Sequence, residues 1–143
     1  MTHKILCVDD DLSIRTMLDK ALRAEGYDVI TAINGEEAVQ LAESQEPDLI
    51  LLDVGLPGIN GIETLTRIKK ANPDASAIMI TAAGTIESAV AAMKAGARNY
   101  IQKPFNTEEL QLLIAETLET VRLKKEVVVL RSAQRTGATS TTS

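Results

Sequence analysis

The sequence predicts an α/β fold: a doubly wound, five-stranded parallel sheet with helices on both faces and an extended C-terminal helix. Three observations carry this. Five short apolar runs alternate with five longer segments of helical periodicity. Two of the runs, Leu49-Ile50-Leu51-Leu52 and Ala77-Ile78-Met79-Ile80, are continuously apolar, as strands covered on both faces are. Gly, Asn and Pro stand at the junctions, where turns and helix caps need them.

The elements follow in order. Residues 4–8 form the first strand, with Asp9-Asp10-Asp11 at its end. Ile14, Met17, Leu18, Ala21 and Leu22 share one helical face, and Gly26 closes that helix. Residues 28–32 form the second strand. Asn34 caps a helix that turns Ala38, Leu41 and Ala42 inward, with Glu36 and Glu37 favourable in its first turn. The third strand, 48–53, ends in Asp53 and opens into a loop holding Gly55, Pro57, Gly58 and Gly61. Asn60 and Glu63 read as a capping-box variant ahead of Ile62, Leu65 and Ile68. After Asn72-Pro73 comes the fourth strand, 77–81, then the loop Ala82-Ala83-Gly84 with Thr85 as cap. Ile86, Ala89, Val90 and Met93 are expected to face inward on the next helix, which stops at Gly96. Residues 99–102 form the fifth strand. Asn106 and Glu109 open the last helix, with Leu110, Leu113, Ile114 and Leu118 inward.

That helix carries apolar residues beyond what the domain needs. The division expected is a domain over 1–120, a linker helix over 121–131 and a polar, disordered tail over 132–143. The stripe Ile114, Leu118, Val121, Val128 is interrupted by Lys125, and Val127-Val128-Val129 is poor helix material, so a coiled-coil linker and a frayed terminal helix both stay open.

Composition excludes several function classes. A chain of 143 residues with 45% apolar content builds a sizeable single core. Tyr27, Tyr100 and Phe105 are its aromatics, so an aromatic at the surface would stand out. A net charge of −5 without a basic stripe argues against direct nucleic-acid binding. The one cysteine, Cys7, sits in an apolar strand and reads as a small buried hydrophobe. No stretch approaches the roughly 20 apolar residues of a membrane span, and no leader precedes the first strand. A soluble cytoplasmic protein is expected.

The chemistry lies at the strand ends. A lone Asp after a strand usually starts a turn. Here, however, strand one ends at Asp9 and Asp10, strand three at Asp53, strand four at Thr81 and strand five at Lys103. A parallel sheet brings all of these to one edge, where open α/β sheets bind ligands. Crowded carboxylates repel, and a hard divalent cation relieves them. Mg²⁺ takes oxygen ligands and is often held by one or two carboxylates plus a phosphate oxygen. An Asp can serve as nucleophile to give an aspartyl-phosphate, with Lys103 and Mg²⁺ neutralising the phosphoryl charge.

These residues resemble the receiver domain of bacterial two-component response regulators, a flavodoxin-like fold. The matching features are Asp9-Asp10, Asp53 with Leu56-Pro57-Gly58-Ile59-Asn60-Gly61, Ile80-Thr81-Ala82, Gly96-Ala97, Tyr100 and Lys103-Pro104-Phe105, over about residues 4–120. The resemblance implies that Asp53 accepts a phosphoryl group from the phosphohistidine of a sensor histidine kinase. It also implies Mg²⁺ ligated by Asp10, Asp53 and the Gly55 carbonyl, with Asp9 acting through water. Thr81 and Lys103 would bind the phosphoryl oxygens, and the Lys103–Pro104 bond would be cis. Tyr100 would be the switch aromatic, turning inward as Thr81 moves. The readout face would be the fourth helix, fifth strand and fifth helix, near Ile86, Ala89, Tyr100 and Glu109, and a possible homodimer would form through that face and the linker helix. A charge-assisted hydrogen bond contributes about 1.5–3 kcal/mol, whereas a full two-state switch needs about 5.5 kcal/mol. Thr81 alone is therefore too weak, and Lys103 or dimer formation must add to it.

The stretches 84–90 and 96–101 are similar to receivers of nitrogen-regulation-type transcription activators, which carry an ATPase and a DNA-binding domain after a linker helix. The sequence has no Gly-Lys-Ser/Thr phosphate loop. An isolated receiver with the start of its linker, its output domain missing, is the expectation. Turnover is not expected beyond self-phosphorylation and self-dephosphorylation. Gly55 and Ala83, two residues past Asp53 and Thr81, bring no side chain that would hold or block an attacking water. The alternative is an unphosphorylated interaction module, which has no need of three carboxylates on one edge. A flavin protein is disfavoured because three Asp would repel the FMN phosphate. An aspartate-nucleophile phosphatase would want its nucleophile after the first strand and a cap insertion, for which there is no room.

Overall fold

The computed structural model describes residues 2–82 and 86–120. The expected Thr85 cap, Ala83, the 121–131 linker and the 132–143 tail lie outside the described residues. The strands are β1 (Lys4–Val8), β2 (Asp28–Ala32), β3 (Leu49–Asp53), β4 (Ala77–Thr81) and β5 (Asn99–Gln102). The helices are α1 (Leu12–Ala24), α2 (Gly35–Gln45), α3 (Gly61–Ala71), α4 (Ile86–Lys94) and α5, over 107–120. All strand pairs are parallel, in the order β2-β1-β3-β4-β5.

Alternation along the strands divides the core in two. Leu6, Val8, Ile50, Leu52 and Met79 meet α2, α3 and α4 through Ala38, Leu65, Ile68 and Ala92. Ile5, Cys7, Leu49, Leu51, Ile78 and Ile80 meet α1 and α5 through Leu18, Leu22, Leu110, Ile114 and Leu118. β3 and β4 are buried at every residue. These two strands therefore hold the sheet's middle rigid, and the residues at their ends inherit that rigidity.

The helix starts follow the caps. Asn34, Asn60 and Asn106 accept from the N–H of Glu37, Glu63 and Glu109. Asp11 caps α1 by accepting from Ser13 N–H, a role the sequence reading left out. At Asn60 the returning half of the capping box is missing, because Glu63 pairs with Arg67 one turn on. A related bond occurs at α2, where the N–H of Ile33, one residue before the Asn34 cap, donates to Glu37. The third strand begins at Leu49, one residue later than expected, since Asp48 turns its carboxylate to the Lys4 N–H.

α4 corrects the sequence reading. Of its expected inward face, Ile86 is 82% exposed, and Val90 and Met93 are exposed as well; Ala89 alone is half-buried. The buried residue is Ala92. Periodicity locates an apolar stripe but not the surface it serves. β5 is an edge strand, and α4 approaches the sheet there through its alanines, which lets helix and strand lie close and turns the bulkier stripe outward. Tyr100 on β5 is also at the surface, 45% exposed.

Gly61 locks α3 to the end of β3. Its N–H donates to the Val54 carbonyl at 3.0 Å. A Cβ there would collide with the Asp53 carbonyl oxygen and stand 2.7 Å from Val54 Cα, both backbone atoms that cannot swing away. Gly61→Ala is expected to destabilise the protein by about 1–3 kcal/mol in urea unfolding. An unchanged midpoint would show that the junction yields.

Candidate functional site

The register determines which side chains meet. Val8 pairs with Leu52, Asp53 with Ile80 and Thr81 with Gln102. One step further, Asp9 stands beside Asp53, and Lys103 N–H donates to the Thr81 carbonyl at 2.8 Å. Asp9, Asp53, Thr81 and Lys103 thus line up across β1, β3, β4 and β5 at the carboxyl edge. The β1–α1 turn adds Asp10.

Asp9 is 1% exposed and Asp53 6%. The Lys103 ammonium lies between them, 3.1 Å from Asp9 Oδ2 and 3.4 Å from Asp53 Oδ2. The other oxygen of each carboxylate accepts a backbone N–H: Asp11 at 2.9 Å for Asp9, and Gly55 at 3.1 Å for Asp53. Burial pushes the Asp53 carboxyl above its ordinary 3.8; the Gly55 N–H opposes this, Asp9 adds to it, and Lys103 counteracts it. Burial alone would lower Lys103, but its bond to Asp9 and the charges of Asp53 and Asp9 outweigh that and hold it above its ordinary 10.5. Burial, with Asp19 and Asp9 adding, pushes the Cys7 thiol up to about 12, so it is an inert core residue as expected.

Asp9, Asp10 and Asp53 each offer a carboxylate oxygen, and these lie within 4.8 Å of one another. Ligands on opposite sides of Mg²⁺ stand about 4.2 Å apart, from a metal–oxygen distance of about 2.1 Å. The donor set is therefore of the right chemistry for a small, hard divalent cation, around which its oxygens would draw closer together. Asp10 is exposed, giving such a cation an open side. Thr81 is buried at the end of β4, and the Lys103–Pro104 bond is cis. Ala83 lies outside the described residues.

The chain matches the family model of the response regulator receiver domain over residues 5–115. It belongs to that family. The receiver is 41% identical over 133 residues to the nitrogen assimilation regulatory protein NtrX of Azorhizobium caulinodans, covering 92% of this chain and 29% of that protein. It is 39% identical to the transcriptional regulatory protein ZraR of Klebsiella oxytoca, covering 93% of this chain and 30% of that protein. Among solved structures it resembles NtrX of Brucella abortus, with TM-score 0.87 and 38% identity, over 97% of this chain and 32% of that one. It also resembles a CheY-like receiver domain protein of Methanospirillum hungatei, with TM-score 0.83 and 34% identity, over 87% of this chain and 99% of that one. The chain thus spans less than a third of the NtrX and ZraR proteins named, and nearly all of the CheY-like receiver domain protein. No helix among the described residues is long and apolar enough to cross a membrane.

The structure brings together the carboxylates, Lys103 and Thr81 expected at one edge. Sequence reasoning missed Arg15, whose guanidinium reaches the Asp9 carbonyl. It also missed Leu12 and Ile33, exposed apolar residues in the segments after β1 and β2. Leu12 lies off the inward stripe of α1, a signal that was available.

The site costs stability. Asp53 holds its proton more tightly folded than unfolded, so stability falls as pH rises from 3.8 through the folded value, and the whole penalty is present above it. Asp53→Asn is therefore expected to raise the melting temperature at neutral pH in EDTA by roughly 3 °C, for a gain on the order of 1 kcal/mol. The gain should vanish once pH falls below the unfolded value. A lower melting temperature for the variant at neutral pH would contradict the assignment of Asp53 as a destabilising charge. Lys103 has the opposite sign: its contribution is complete below 10.5 and lost as pH rises through its higher folded value.

Proposed function

We propose that the receiver accepts one phosphoryl group on Asp53 from the phosphohistidine of a sensor kinase, and that it does so with Mg²⁺ in the cytoplasm. The observation that carries this is the Asp53 carboxylate held at the sheet edge beside Asp9, with the Lys103 ammonium bridging the two. Asp9, Asp10 and Asp53, with the Gly55 carbonyl, would hold the cation. When bound, Mg²⁺ supplies positive charge against the phosphoryl oxygens. Asp53 Oδ forms the new O–P bond as the N–P bond breaks, and the electron pair leaves with the imidazole. Lys103 neutralises the transferring group, and Thr81 donates its hydroxyl to a phosphoryl oxygen. The domain is a stoichiometric acceptor rather than an enzyme with turnover.

The output follows from Thr81 and the α4–β5 face. Ile86, Val90, Met93 and Tyr100 form exposed apolar surface there, more than the fold needs outside. A move of Thr81 toward the phosphoryl group vacates space into which Tyr100 turns, changing the surface offered to a second copy or to an output domain in transcription regulation. The relatives' greater length supports such an output domain.

Intact mass after incubation with acetyl phosphate tests the acceptor. A gain of one phosphoryl is expected, dependent on Mg²⁺ and absent in Asp53→Ala. Absence of uptake from both acetyl phosphate and a phosphohistidine donor would leave only the contact-module reading. The switch has its own measurement, because the chain contains no Trp and two Tyr. In a Tyr27→Phe background the remaining fluorescence reports Tyr100, and acrylamide quenching should fall on phosphorylation. Quenching unchanged in fully phosphorylated protein would remove Tyr100 from the switch.

A further inference from the structure

Arg15 stands one turn into α1, half-buried, and its Nη1 donates to the Asp9 backbone carbonyl at 2.8 Å. The bond goes to the carbonyl rather than to either carboxylate. Asp9 lies past the end of β1, and its other groups are engaged elsewhere: its N–H donates to Ala32 O, and its carboxylate takes the Asp11 N–H and Lys103. The carbonyl clamped by Arg15 belongs to the peptide unit joining Asp9 to Asp10. A peptide is planar, so holding its oxygen, with the Asp9 N–H held in turn by the Ala32 carbonyl, restricts the plane and the Cα atoms at both ends. Those two Cα atoms carry two of the three carboxylates that lie within 4.8 Å of one another.

We infer that Arg15 is a positioning residue for the divalent-cation site: by clamping the Asp9–Asp10 peptide it sets the spacing of both carboxylates against Asp53. This rests on the reading of that cluster as a cation site. The guanidinium suits the task because it stays charged at any working pH and its donors lie in a fixed plane. Its α1 anchor is itself held, since Arg15 N–H bonds the Asp11 carbonyl and Asp11 caps the helix. The bland alternative is a helix arginine that only staples α1 to the sheet. The two differ in sign. An arginine that does no positioning is merely a cation near a cation site, so its removal would leave Mg²⁺ affinity equal or tighter. Loss of a group that orients the ligands weakens it.

The test is a Mg²⁺ titration of the unphosphorylated full chain, followed by amide chemical shifts of Asp9, Asp10, Asp53 and Gly55, for wild type, Arg15→Ala and Arg15→Lys. Thermal unfolding in EDTA runs alongside. The dissociation constant should rise about tenfold in Arg15→Ala and recover in part in Arg15→Lys, which retains one charged donor. Equal or tighter binding by Arg15→Ala overturns the inference, whatever its melting temperature. Should Arg15→Ala not fold, Arg15→Gln carries the same comparison: its amide falls short of the carbonyl, so weaker binding is expected and equal or tighter binding overturns. A wild type that binds no Mg²⁺ overturns the cation-site reading itself. A binding wild type with an unchanged Arg15→Ala overturns only the role of Arg15.

Discussion

The structure depends on a repulsion held in check. Asp9, just past the end of β1, and Asp53, at the end of the neighbouring β3, are both nearly out of water, and Lys103 reaches across from beyond β5 to stand between them. Strand spacing of about 4.8 Å brings their carboxylates close whether or not a cation is there. Their backbones cannot relax apart, because β3 is buried at every residue and β1 is paired on both sides. The sheet imposes the crowding, and the crowding creates the demand for positive charge. Lys103 meets part of that demand in the free protein. On the proposed reading, the remainder is what would give a divalent cation, and then a phosphoryl group drawn by that positive charge, its place.

The surroundings keep this cluster rigid without filling it. Gly61 lets α3 begin against the β3 carbonyl, so the loop after Asp53 is short and closely held. The Gly55 and Asp11 N–H groups each take one carboxylate oxygen, which orients both side chains. Preorganisation of this kind favours charge developing at one point, since little has to move when it arrives. It also explains why the site is expensive for the fold: the pressures that raise the Asp53 proton affinity are the ones that ready it for a partner of opposite charge.

The fold was legible because each level of the sequence agreed with the next. Continuous apolar runs over residues 49–52 and 77–80 announced central strands, and Asn34, Asn60 and Asn106 marked helix starts. The site was legible for a topological reason: parallel strands share one carboxyl edge, so strand-end residues far apart in sequence must meet. What escaped were facts of packing and reach. Whether the Ile86, Val90, Met93 stripe faces the core depends on how closely α4 approaches an edge strand, and small alanines on the opposite face decide that. The hold of Arg15 on Asp9 joins a side chain to a backbone oxygen, a contact without periodicity or motif. The choice of Glu63 between its own cap and Arg67 is a competition between local bonds of similar strength, which sequence spacing permits equally.

The outward turn of that stripe bears on how a small chemical change becomes a large one. On the proposed reading, a charge-assisted bond from Thr81 would contribute about 1.5–3 kcal/mol, and full switching needs about 5.5 kcal/mol, leaving roughly 2.5–4 kcal/mol to be found. At about 25 cal/mol per Å² of apolar surface, covering some 100–160 Å² supplies it. Ile86, Val90, Met93 and Tyr100 are four large side chains standing in solvent on adjoining elements, and a partner covering part of them reaches that area. On the proposed reading, phosphorylation does not drive the switch alone. It biases the face toward a shape that a second surface can cover, and the covering completes the change. A helix packed inward, as the periodicity suggested, would have stabilised the isolated domain and left nothing to cover.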